Sequence, residues 1–191
     1  MSLMFCAAVF ARGPKSGAES SPEISHTVAR IVLGDRASLQ ERDIEFDQCL
    51  DEVFPTGVGT RLFRKSVNRA AISVTDDRVI LVSNRCGDWV GSEPEFLALC
   101  THVNCQMALV LYLDSRVNSA LYFLWESGKV IRSFASRDFN TAPSGNPPEI
   151  EDRLRQEGLP DTDIVDGVAE ILLGQSFSDA VWDYSFDLWS A

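Results

Sequence analysis

Residues 106–134 read QMALVLYLDSRVNSALYFLWESGKVIRSF, and this stretch decides the fold. Three β-rich runs, Gln106 to Leu113, Ser119 to Trp125 and Lys129 to Phe134, are separated by a short polar loop and by Glu126-Ser127-Gly128, the turn chemistry of an antiparallel meander. Leu121 to Trp125 is apolar throughout, so periodicity does not say which of its faces is open. Upstream, Ala70 to Thr75 and Arg78 to Asn84 flank Asp76-Asp77 and predict a hairpin. A sheet of this kind needs a helical layer on its buried face, and the segments before Pro55 and after Pro148 can supply it.

Leu3 to Arg12 predicts a first strand, ended by Gly13, Pro14 and Gly17. Ser21, Pro22 and the spacing of Ile24, Val28, Ile31 and Val32 predict a helix that stops at Gly34. A second helix is expected from Ser38, with Glu41 as its capping-box partner, to Phe54, with Asp43, Asp47 and Asp51 outward. A third is expected after Ser92 and Glu95, with Phe96, Leu97, Leu99, Cys100 and Val103 on its apolar face. Beyond the loop Thr141 to Pro148, helices are expected at Glu149 to Gln156 and Ile164 to Leu173, each closed by a glycine. The last stretch alternates. Trp182, Tyr184, Phe186 and Leu188 fall on one side, and Asp183, Ser185 and Asp187 on the other, as in a half-buried strand whose carboxylates protect an open edge. The expectation is a single α+β domain over residues 1–191, an antiparallel β-meander sheet packed against several helices.

At 191 residues with 45% hydrophobic and 24% charged side chains, the chain can fill one core and lacks a disordered composition. Its net charge of −11 is uneven: from Glu149 to Ala191 eleven acids face only Arg153 and Arg155. A surface of one sign suits a basic partner or none, and disfavours nucleic acid and anionic membranes. The one basic cluster, Arg61, Arg64, Lys65 and Arg69, reads as a solvated face or an internal partner for the acids. Met1 to Phe10 lacks the basic region and cleavage site of a secretion signal, and no apolar run is long enough to span a bilayer. Five cysteines, an odd number in apolar surroundings, fit a reducing compartment, so a soluble cytoplasmic protein is expected.

Few residues offer chemistry. Cys86, Cys100, His102 and Cys105 carry zinc-ligand types, but the paired knuckles of a structural site are missing. Cys86 with His102 and Asp88 is a formal nucleophile set, set against the simpler reading of buried, inert thiols. Asp161, Asp163 and Asp166 cluster, yet the glycine and glutamate of an EF-hand loop are replaced by Asp166 and Leu172. They read instead as acids favouring a helix N-terminus. Catalytic residues, metal and cofactor are therefore all expected to be absent.

The segment Leu121 to Phe134, followed by a glycine and proline loop, Val168-Ala169-Glu170-Ile171-Leu172-Leu173-Gly174 and Phe177, resembles several uncharacterised bacterial α+β families over residues 70 to 177. Some of these families look like immunity proteins of polymorphic toxin systems. The resemblance implies a cytoplasmic inhibitor that covers the basic active-site cleft of a toxin domain. The residues expected to bind such a partner are Asp179, Asp183 and Asp187 with Trp182, Tyr184 and Trp189, carboxylates to steer the encounter and aromatics to slow dissociation. The competing readings are a binding or regulatory module for another protein and a small enzyme built on Cys86 and His102 or on the carboxylates. A homodimer through the aromatic hairpin is a further expectation.

Overall fold

A computed structural model describes residues 4–13, 20–54, 69–89, 91–136, 139 and 142–191. Arg61, Arg64 and Lys65 lie outside these residues, as do Pro55 and Gly57, which follow the expected end of the second helix at Phe54. Eight strands form one antiparallel sheet: β1 (Met4–Arg12), β2 (Ser38–Ile44), β3 (Arg69–Val74), β4 (Arg78–Ser83), β5 (Cys105–Asp114), β6 (Ser119–Glu126), β7 (Lys129–Ala135) and β8 (Phe186–Ser190). Their spatial order is β2-β8-β3-β4-β1-β5-β6-β7. The helices are α1 (Ser21–Leu33), α2 (Phe46–Val53), α3 (Pro94–His102), α4 (Glu149–Gln156), α5 (Asp161–Val168), α6 (Glu170–Leu173) and α7 (Phe177–Ala180). The chain is thus an α+β protein, and the meander β5-β6-β7 stands as the sequence predicts.

Helices cover both faces of the sheet rather than one. On one face, Phe5 of β1 packs against Phe46 of α2 and Phe177 of α7, and Tyr122 of β6 meets Glu151 of α4. On the other, Phe10 of β1 packs against Phe96 of α3, and Trp189 of β8 bonds to Ser25 of α1. A strand covered on both sides loses the alternation of polar and apolar residues. This is why Leu121 to Trp125 is apolar throughout, with Tyr122, Phe123, Leu124 and Trp125 all buried. Those aromatics are interior, so the hairpin presents none of them to a second copy of the chain.

The segment from Ser38 is not a helix. It is strand β2, paired to β8 in an irregular register, and helix α2 begins only at Phe46 after an N-cap at Glu45. The cause is tertiary, because β8 requires a neighbour on its outer side and local propensity yields to that pairing. Asp43 adopts φ +54°, a left-handed conformation that aspartate tolerates, and turns the chain from strand to helix. Ser20, one residue before Ser21, precedes α1, where Glu23 accepts from its backbone N–H (2.8 Å) and its hydroxyl (2.9 Å). At α3 the N-cap is Glu93, which accepts from the N–H groups of Gly91 and Ser92, while Glu95 pairs with Arg85 at 2.6 Å instead of closing a capping box.

The expected edge strand at the C-terminus is internal. β8 begins at Phe186 and lies between β2 and β3, so its carboxylate guards no open edge. The two edges are protected otherwise. β2 is irregular and exposes Glu41, Arg42 and Asp43. The β7 edge is closed by the loop before α4, where Ser133 and Ser144 exchange backbone hydrogen bonds of 2.9 and 3.0 Å. Gly145, at φ +76°, is required there, since a Cβ would lie 2.0 Å from the Ile131 carbonyl oxygen.

That loop is fastened from inside. Arg132 of β7 donates to the Gly145 carbonyl (2.9 Å) and to both oxygens of Glu151 (3.0 and 2.7 Å). Tyr122 donates to Glu151 through its hydroxyl, and Arg155 reaches the same carboxylate at 2.8 Å while stacking on Phe134. Glu151 is fully buried, and the two guanidiniums neutralise it. One acid of the charged C-terminal segment is therefore a core ion and adds nothing to the outer surface.

Candidate acidic and aromatic surface

The six residues expected to bind a partner are divided by the structure. Trp182 lies in a 3₁₀ turn, Val181–Asp183, and is 61% exposed. It rests edge-on against Phe46, with ring centroids 6.0 Å apart, and so brings the C-terminal turn to the start of α2. Asp183 follows it and is exposed, accepting from Gln175 at 3.1 Å. Asp179, also exposed, sits in the first turn of α7 and accepts from the hydroxyl of Ser176, the helix's N-cap (2.7 Å). The other three are committed elsewhere. Tyr184 is half-buried, its hydroxyl accepting from Arg78 (3.2 Å); Asp187 accepts from Ser25 (2.9 Å) on the α1 face; Trp189 is buried, its indole N–H given to Ser25 (3.1 Å). Trp189 offers a partner no surface.

The Phe46 contact adds residues that sequence reasoning did not join to this end. Glu45, Asp47 and Asp51 are exposed on or beside α2, and from Glu45 to Val53 there is no basic residue. From Gln156 to Ala191 there is no Lys, Arg or His either. An exposed indole thus stands where two cation-free segments meet. The joining signal is a ring contact between residues far apart in sequence, which no local pattern contains.

The remaining acids are mostly structural. Asp161 and Asp163 occupy the first turn of α5, as their reading as helix-start acids expects. Asp166 instead turns inward and accepts from the backbone N–H (2.9 Å) and hydroxyl of Ser178, tying α5 to α7; burial pushes its carboxyl above the usual range. A cleft of about 370 Å³ beside Pro148, Ile150 and Ile171 is spanned by the Arg153–Glu170 ion pair at 2.8 Å.

No family model matches the chain, and neither a curated protein nor a solved structure matches it.

Four of the five cysteines are buried, and Cys105 is half-buried. Among the described residues no group of three His, Cys, Asp or Glu side chains is placed to hold a metal ion. Cys86 is fully buried in the 3₁₀ turn Asn84–Asp88, and burial together with neighbouring Cys6 pushes its thiol well above the ordinary value. Burial likewise raises Cys49 to about 12, and a hydrogen bond with Cys105, reinforced by burial, raises Cys100. A nucleophile needs the thiolate, which these surroundings disfavour. Under native conditions, thiol titration with a chromogenic disulfide is expected to modify Cys105, the half-buried one, first, and Cys6, Cys49, Cys86 and Cys100 only on unfolding. Prompt reaction of Cys86 in the folded protein would contradict this assignment.

Proposed function

We propose that the chain is a protein-binding inhibitor of the immunity type, which acts in the cytoplasm and neutralises a bacterial toxin by covering its basic active-site cleft. The observation that carries this reading is Trp182, a largely exposed indole flanked by Asp179, Asp183 and the acids of α2. Exposed aromatic anchors dominate binding energy at interfaces, and one-signed surroundings accelerate encounter with an oppositely charged partner. Enzymes acting on phosphate groups have clefts of the complementary sign. The resemblance of residues 70 to 177 to uncharacterised bacterial α+β families, some of which look like immunity proteins, favours the same reading.

The test compares the native chain with Trp182→Ala and with Asp179→Asn/Asp183→Asn, using a partner captured from the source cell and then purified. Trp182→Ala is expected to weaken binding by at least about 2 kcal/mol, or roughly 30-fold, chiefly through faster dissociation. The double Asn variant is expected to slow association and to flatten its dependence on salt. Unchanged kinetics in both variants would remove this surface from the interface. A captured partner that is acidic, or whose activity the chain leaves intact, would overturn the toxin-inhibitor reading.

A further inference from the structure

On the α1 face, a pocket of about 140 Å³ opens between the start of α1, the end of β2 and strands β3 and β8. Its apolar lining is Pro22, Ile72 and Val74, and its charged lining is Arg42, Asp43 and Asp187. Asp187 is held from behind by a chain of hydrogen bonds. Trp189 donates its indole N–H to the Ser25 hydroxyl (3.1 Å), and that hydroxyl donates to one Asp187 oxygen (2.9 Å). Because Ser25 and Trp189 are buried, the carboxylate is fixed before any ligand arrives.

Among the described residues neither Asp187 nor Arg42 makes an ion pair, with the other or with any third group. Two carboxylates, Asp43 and Asp187, and one guanidinium, Arg42, therefore line one small pocket, and no ion pair among the described residues neutralises them. We propose that this pocket binds a small zwitterionic α-amino acid, its ammonium on Asp187 and its carboxylate on Arg42. Arginine's fork suits a carboxylate, and a carboxylate with a free oxygen suits an ammonium. The volume corresponds to roughly four or five waters at about 30 Å³ each, room for a ligand of alanine's size.

The Trp189 indole N–H is a built-in reporter, since it lies one hydrogen bond behind the carboxylate. L-Alanine, ethylammonium and propionate would each be titrated into the full chain while the indole ¹H–¹⁵N cross-peaks are followed. L-Alanine is expected to move the Trp189 peak saturably, with ethylammonium and propionate each at least about tenfold weaker, one charged contact being lost in each case. Arg42→Gln, a change at an exposed residue, and Asp187→Asn, which can still accept from Ser25, are each expected to weaken L-alanine by about tenfold or more. The proposal is overturned if L-alanine gives no saturable shift to millimolar concentration, if ethylammonium matches it, or if Arg42→Gln leaves it unchanged.

Discussion

Glu151→Ala is expected to destabilise the protein by about 3–5 kcal/mol, a large part of the roughly 5–15 kcal/mol that holds a domain folded. The substitution leaves Arg132, itself nearly buried, without its counter-ion, and deprives the Tyr122 hydroxyl of its acceptor. It also frees α4 from the sheet and loosens Arg132, whose bond to Gly145 keeps the loop over the β7 edge. Urea unfolding of native and variant chains measures the loss directly. Glu151→Gln keeps the shape and one acceptor but not the charge, and should fall between them. The same network predicts a pH dependence. Burial alone would raise the Glu151 carboxyl, but the hydrogen bonds from Arg132, Tyr122 and Arg155 outweigh it and hold the group below its ordinary 4.5. A carboxyl lowered by folding contributes stability that is fully present above about pH 4.5 and is lost as pH falls through its folded value. Asp166, raised by burial, acts in the opposite sense, favouring the fold as it protonates. Removing Glu151 should therefore flatten the acid limb of the stability curve, and a limb as steep as the native one would contradict the assignment.

Phe96→Ala is expected to cost about 3–5 kcal/mol by a different route. Phe96 is fully buried on α3 and is the centre of an aromatic group, with ring centroids 5.9 Å from Phe10, 5.7 Å from Trp89, 5.4 Å from Phe123 and 5.9 Å from Trp125. These rings come from β1, the Asn84–Asp88 region and β6, so one truncation opens a cavity shared by three segments. Rings of this size cannot collapse into the space without leaving their rotamers, so the transfer loss and the cavity loss add. The control is the next residue: Leu97 is 39% exposed, and Leu97→Ala should change stability by no more than about 0.5 kcal/mol. Equal losses at the two positions would mean that α3 packs on the sheet through another face.

How much of this is legible in the sequence depends on how local the cause is. The meander from Gln106 to Phe134 and the hairpin around Asp76-Asp77 are written in adjacent residues, and their turns follow. Helix α4 falls between the Thr141 to Pro148 loop and Gly158, as expected. Ser38 to Ile44 reads as a helix because Ser38 and Glu41 have capping spacing, while its partner β8 lies near the other end of the chain. Trp189 reads as a surface anchor because it is an aromatic beside the acids of the last strand; burial on both faces of β8 places it in the core instead. The role of Glu151 depends on Arg132 and Tyr122 meeting it across the sheet. One visible clue is Arg132, next to Val130-Ile131 and near Phe134 in a β-rich run, since an arginine buried there needs an acid as partner. In the acidic surface, Trp182 and Asp183 are legible as exposed candidates, whereas the contribution of α2 follows only from the Phe46 contact.

The most direct measurement for the proposed function is capture from the source cell's lysate, with native chain and Trp182→Ala as parallel baits, followed by titration of the purified partner and assay of its activity. The account predicts one basic protein bound in equal stoichiometry by the native chain, its activity suppressed, and its affinity for the variant reduced by roughly 30-fold or more. A partner held equally by both baits, a partner whose activity is untouched, or no stoichiometric partner at all would contradict it.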